Sequence, residues 1–406
     1  MIIEVDNVKG FRDFLPPESF KFKNVKEIIE KHFKLHGFLP IETSIIEYDE
    51  YLRGDSIEED ELSLSRFRLK DRVGRNLALR YDLSTAFPRI LKQNPNLKLP
   101  LRVYQIGSSF RDDTAGVMRF RQFTQCDADI IGDSSVQAEI ELLSLAQEIL
   151  NELEIEFEIL VNHKKLINSM IESVELQDRE KVVRELANLE KLGEDMVKSN
   201  LKRYGNANQI LTLFKLLEKD IMFFRINAFE GAEELINLLK ECKKRYVTIT
   251  AQPSLVKNVG YFSDFIFEIR QKGQKESLGF GGRYDNFVGK YLNVKMPAVG
   301  ISFGLEKIAL TSEKSFENKI VIIAYNSQKK GNINEIEKEL REKKIPCFLL
   351  EDSFANAVEY ASYYKIPYVL LVDTEEKEKK KFKLRNVKSG AEKTLSMKQI
   401  IKELKN

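Results

Sequence analysis

The sequence predicts an α+β protein: an antiparallel sheet assembled from two distant stretches of chain, a helical insertion between them, and a smaller α/β domain at the end. Three observations carry this. Strand-like runs separated by turn residues fill the block from Phe67 to Phe123, continue through RFRQFTQCDADIIG, and return at RYVTITAQP, FSDFIFEIRQ and ESLGFGGRYD. Between those blocks, residues 164–244 are almost entirely helix-forming, with apolar positions three and four apart. After the boundary TSEKSFENK, the segments KIVIIAYN, IPCFLLED and IPYVLLVD alternate with helical stretches in a β-α-β-α-β order.

Taken in order, KGFRDFLPPE leads into an amphipathic helix. Phe20, Val25, Ile28, Ile29 and Phe33 share one face of it, and Gly37 stands where a left-handed C-cap is expected. FLPIETSIIEY reads as extended, and FRLKD, NLALRYDL, LRVYQIGSSFR and RFRQFTQCDADIIG read as strands of an antiparallel sheet. A helix follows over residues 134–153, then the short strand IEFEILVN and the helical stretch. In PAVGISFGLEKIAL, glycines precede a helix that completes the sheet region. The expected domains are residues 1–163 with 246–312, the insertion 164–245, and residues 319–406. The run EEKEKKKFK reads as a solvated hairpin or loop.

Bulk properties exclude several classes. A chain of 406 residues, 43% hydrophobic and 32% charged, buries more than one core and is not disordered. Its net charge of +2 leaves any nucleic-acid surface to local clusters of Lys and Arg. Cys126, Cys242 and Cys347 are odd in number and far apart, which fits neither a disulfide scaffold nor a paired-cysteine metal site. No apolar run is long enough to span a bilayer, so a cytoplasmic protein without membrane contact is expected. His32, His36 and His163 show no metal-ligand pattern in sequence, and structural roles without a bound metal are expected for them.

The motifs KGFRDFLPPE, LRYDLSTAFPR, VYQIGSSFR with RFRQFTQCDADIIG, FGGRYDNFVG and PAVGISFGLEK occur in the order seen in histidyl-tRNA synthetases. The chain resembles that family along nearly its whole length, and its C-terminal part is similar to the family's anticodon-binding domain. The resemblance implies a class II aminoacyl-tRNA synthetase catalytic domain with a six-stranded antiparallel sheet, and a homodimer. It also implies the reaction: ATP, accompanied by Mg2+, activates histidine to histidyl-adenylate, and histidine then passes to tRNA(His).

Attack of a carboxylate on an α-phosphate demands charge neutralisation and alignment, for which a guanidinium fork is suited. Arg111 matches the arginine that holds the α-phosphate and the substrate carboxylate. Standing alone, it would be read as an ion pair with Asp112 or Asp113. The substrate's ammonium and imidazole call for carboxylate and amide acceptors. By resemblance Asp82, with Ser84 beside it, binds the α-amino group, Gln125 and Asp129 hold the amino and imidazole ends, and Tyr261 and Tyr284 contact histidine. Gln125 and Asp129 are four apart, so on one strand they share a face; without the motif they would be polar residues on a solvated face. Arg119 is the candidate for contact with ATP or the tRNA acceptor end.

The sequence departs from the family at several places. Ser44 replaces the proline after Thr43. In PSLVKNVGYFSDFIFE, the histidine-specific segment, Lys257 stands for the arginine against the α-phosphate and Gly260 for an aspartate. Lys307 occupies the place of the arginine expected on adenine and the γ-phosphate. Lysine keeps the charge but loses the fork. These changes admit two rival readings: a histidine-sensing regulatory subunit of an ATP phosphoribosyltransferase, or a sensor of uncharged tRNA.

Overall fold

A computed structural model describes residues 5–54, 61–116, 118–257, 261–316, 319–325, 333–372 and 381–405, with the side chains of residues 61 and 62 left aside. Two compact units emerge: one holds Val25–Lys314 with the N-terminal residues up to Arg12, the other holds Asp13–Asn24 with the chain from Ser315 onward.

The first unit is built on a sheet of eight strands: β1 (Leu39–Pro40), β5 (Leu101–Phe110), β6 (Gln122–Ile131), β7 (Phe157–His163), β8 (Thr250–Ala251), β9 (Phe265–Gln271), β10 (Ser277–Arg283) and β11 (Ala298–Gly304). Their order is β1-β5-β6-β11-β10-β9-β7-β8. The six central strands pair antiparallel throughout, and the two-residue β1 and β8 add parallel edges. RYVTITAQP thus contributes far less strand than its composition suggests.

FRLKD and NLALRYDL do not enter this sheet. Within them β3 (Arg68–Lys70) and β4 (Asn76–Leu79), together with β2 (Ile46–Tyr48), form a separate three-stranded sheet. The reason is local: β3 is exposed at every residue, so it has no face to bury in the main sheet. Past β4 the chain turns away, and Arg80 O accepts the N–H of Phe110 at 3.0 Å.

The helix Gln137–Glu152 packs on β11, burying Ile140, Leu142, Leu143, Leu145, Ala146, Ile149 and Leu150. Each large aliphatic side chain removed from water contributes about 1.5–3 kcal/mol. Between β7 and β8 the chain is helical from Lys164–Ser173 to Ala232–Lys244, and the last of these helices packs on β7. These helices belong to the same compact unit as the sheet.

In the second unit, β12 (Val321–Tyr325), β13 (Cys347–Glu351) and β14 (Tyr368–Val372) are parallel, and β15 (Phe382–Asn386) and β16 (Glu392–Leu395) extend them antiparallel. Along β12 the residues alternate between two cores. Val321 and Ile323 meet Leu340, Leu370 and Ile400, while Ile322 and Ala324 meet Ala357, Ala361 and Val369. A parallel sheet buried on both faces reads in sequence as a continuous apolar run, as IVIIAY does. Most of EEKEKKKFK lies outside the described residues; its Phe382 and Lys383 begin β15.

Candidate active site

The two-residue period of β6 directs Gln125, Asp127 and Asp129 to one face, where all three are almost fully buried. Opposite them on β11 stand Gly304, Ser302 and Gly300. The missing side chain at Gly300 matters: a Cβ there would lie 2.0 Å from Asp129 Oδ1 and 3.1 Å from the Tyr284 hydroxyl. That hydroxyl, carried just beyond β10, donates to Asp129 Oδ1. Gln125 accepts from the Ser109 hydroxyl and donates through Nε2 to Ser302 Oγ at 3.0 Å and Asp82 Oδ2 at 3.3 Å. Asp82 sits in the turn after β4, where the N–H of Ser84 donates to its Oδ1 at 3.0 Å. The reading of the sequence passed over Asp127, although its place midway between Gln125 and Asp129 on a strand puts it on their face.

Asp127 and Asp129, buried side by side next to Asp82, resist ionisation. Burial pushes Asp129 up to about 8; the Tyr284 hydrogen bond works the other way, and the charge of Asp82 adds a smaller upward push. Asp127 is raised well above the carboxylate range by burial, then by Asp82 and Asp129; the Ser302 hydroxyl and Arg111 oppose this. Neither Asp127 oxygen has an aligned hydrogen-bond partner.

Arg111 supplies the positive charge. Its Nη2 lies 3.6 Å from Asp82 Oδ2, its Nε donates to Tyr81 O at 3.0 Å, and its guanidinium carbon stands 4.9 Å from the Phe123 ring centroid. Asp112 and Asp113, the partners expected of a merely structural arginine, are engaged by Arg121 and Arg119. Nη2 is also buried without a hydrogen-bond partner. An orphaned buried donor and an orphaned buried carboxylate each cost about 1–3 kcal/mol, and such costs are usual where a ligand completes the set.

Asp82, Ser84, Asp129, Tyr261, Tyr284 and Ser302 line a small recess. Tyr261 packs 5.8 Å from Tyr284 and 4.9 Å from Phe287 between ring centroids, closing one wall. The structure thus brings together Asp82, Ser84, Arg111, Gln125, Asp129, Tyr261 and Tyr284.

The remaining candidates are engaged elsewhere. Lys257 Nζ binds the buried Glu268 at 2.6 Å, and Arg270 takes the other oxygen of Glu268 at 2.5 Å. Lys307 donates to Ser277 O at 3.1 Å and faces Glu276 at 3.4 Å. Arg119 pairs with Asp113 at 2.7 Å. Gly260 lies outside the described residues.

The sequence profile of the histidyl-tRNA synthetase family matches residues 10–308, and that of the anticodon binding domain matches residues 319–406. Histidine–tRNA ligase 1 of Bacillus cereus strain ATCC 10987 is 33% identical over 413 residues, covering 96% of this chain and 95% of the relative. The histidine–tRNA ligase of Clostridium tetani is 28% identical, covering 100% and 99%. Among solved structures, histidyl-tRNA synthetase from Nostoc sp. PCC 7120 superposes with a TM-score of 0.84 at 21% identity, covering 100% and 99%. A Bacillus halodurans protein described as an ATP phosphoribosyltransferase regulatory subunit/histidyl-tRNA synthetase superposes with a TM-score of 0.72 at 19% identity, covering 89% and 97%.

Proposed function

The chain belongs to the histidyl-tRNA synthetase family, and from that premise we propose that it is a histidine–tRNA ligase using ATP to form histidyl-adenylate before transfer to tRNA(His). One observation carries the reading: the cluster of Asp82, Asp127 and Asp129 at the recess is answered only partly, by Arg111 at 3.6 Å from Asp82. An entering ammonium and imidazole supply the missing positive charge and donors.

In this reading the ammonium takes Asp82 and the orphaned Asp127, while the imidazole meets Asp129 and Tyr284. The substrate carboxylate then faces Arg111. Its oxygen attacks the α-phosphorus of ATP, and the bond from that phosphorus to pyrophosphate breaks. Arg111 holds carboxylate and α-phosphate together with the fork whose Nη2, though near Asp82, makes no hydrogen bond. Lys257 would reach the other side of the phosphate only by loosening its grip on Glu268, a cost an arginine could reduce by serving both partners. Mg2+ arrives with the nucleotide. Glu268 has both oxygens committed to Lys257 and Arg270 and is no free ligand for it, so phosphate oxygens and water would complete its shell.

The C-terminal unit would read the anticodon. Leu39, Ile45, Ile46 and Tyr48, all exposed, offer an apolar surface for a homodimer. Among the described residues no helix is long and apolar enough to cross a membrane, in keeping with a cytoplasmic role.

The second reading, a histidine sensor, is favoured by the engagement of Lys257 with Glu268. Histidine-dependent ATP–pyrophosphate exchange separates the two, run on the wild type beside Lys257→Arg. Exchange by the wild type supports the ligase; histidine binding without exchange overturns it in favour of the sensor.

A further inference from the structure

Away from the recess, the helix Glu18–Leu35 and the residue just past it carry His32 and His36, four apart and hence on one face. The helix Gln137–Glu152 meets that face with Glu141, Glu148 and Glu152. One ligand atom from each of His32, His36 and Glu148 falls within 4.8 Å of the others. His36 Nε2 lies 3.0 Å and His32 Nδ1 lies 3.7 Å from Glu148 Oε2. Ligands about 2.0–2.1 Å from a tetrahedral zinc stand roughly 3.3 Å apart, between those two distances.

We propose that His32, His36 and Glu148 form a binding site for a divalent transition metal of the zinc type, joining these two helices. Two observations set it apart from an ordinary salt-bridge cluster. His32 is 6% exposed, yet its Nδ1 is buried without a hydrogen-bond partner and points toward Glu148. The nitrogen of each imidazole that faces away from the site is already held by a carboxylate, His32 Nε2 by Glu152 at 2.7 Å and His36 Nδ1 by Glu141 at 2.8 Å. That outer arrangement fixes ring orientation and tautomer and makes the inner nitrogen a better donor to a metal.

The outer carboxylates are themselves balanced, Glu152 by Lys31 at 2.6 Å and Glu141 by Arg102 at 3.2 Å. Glu148 is 46% exposed at its side chain, which leaves a route for the ion and room for a water as fourth ligand.

The test uses the full-length protein without a histidine tag, stripped by chelator and titrated with Zn2+ by calorimetry, then with Co2+ followed by its visible absorption. The expected result is one Zn2+ per chain and a tetrahedral Co2+ band. Glu152→Gln should weaken binding about 10–100-fold by removing an outer carboxylate. Glu148→Gln, at a half-exposed position that leaves the fold intact, should weaken it further and abolish the band. No binding by the wild type, or binding that Glu148→Gln leaves unchanged, overturns the proposal.

Discussion

Replacing Gly300 by alanine tests the recess with a single methyl group. The new Cβ would lie 2.0 Å from Asp129 Oδ1, 3.0 Å from its Cγ and 3.1 Å from the Tyr284 hydroxyl. Real Cβ contacts essentially never fall under 3.0 Å, so the carboxylate must retreat by about 1 Å, carrying it off the Tyr284 hydroxyl. Displacing a substrate-positioning group by about 1 Å costs on the order of 100-fold, or roughly 2.7 kcal/mol of transition-state stabilisation. The assay is kcat/KM for histidine in ATP–pyrophosphate exchange, with circular dichroism and a melting curve to confirm folding. Gly304→Ala is the control on the same strand. Its Cβ would meet only the Lys307 side chain, at 3.7–3.8 Å, and should leave activity within about twofold, since that is ordinary van der Waals contact. A folded Gly300→Ala enzyme with near-wild-type kcat/KM would refute the placement of histidine beside Asp129.

Other perturbations follow from the same geometry. Arg111→Ala should lower the exchange rate by about 10²–10³-fold, the usual loss for one preorganised donor at a developing charge, and a loss below tenfold in steady-state kinetics would count against its role. Asp129 has a folded-state value raised to about 8 against about 3.9 in an unfolded chain. Its contribution to stability is therefore fully present below about pH 4 and falls by about 1.4 kcal/mol per unit until pH passes about 8. The melting temperature of the wild type relative to Asp129→Asn should drop between pH 6 and 8, and parallel profiles would contradict this. Finally, Glu139 and Arg283 form a buried ion pair, so Glu139→Ala should cost about 3 kcal/mol in denaturant unfolding by leaving the guanidinium only Asp285 at 3.4 Å and the carbonyls of Asp133 and Ser135.

The sequence alone determined the architecture to a large extent. Hydrophobic period separated the sheet from the helical stretch, and the β-α-β-α-β order after TSEKSFENK declared the smaller α/β domain, because these periods are written directly into residue order. Ordered motifs identified the family and most of the recess, since Asp82, Arg111, Gln125, Asp129 and Tyr284 each sit in a distinctive local string. What residue order could not show was which distant residue answers which. That Lys257 is held by Glu268, that neither Asp127 oxygen meets an aligned hydrogen-bond partner, and that β3 and β4 leave the main sheet all depend on strand pairing. His32 and His36, in the last turn of the first helix and just past it, read as structural in sequence because the third ligand proposed for them lies on another helix, 112 residues beyond His36. Only the packing of the two helices brings Glu148 within reach, because a side chain spans a few ångströms while the chain between them runs through the small sheet and through β1, β5 and β6 of the large one.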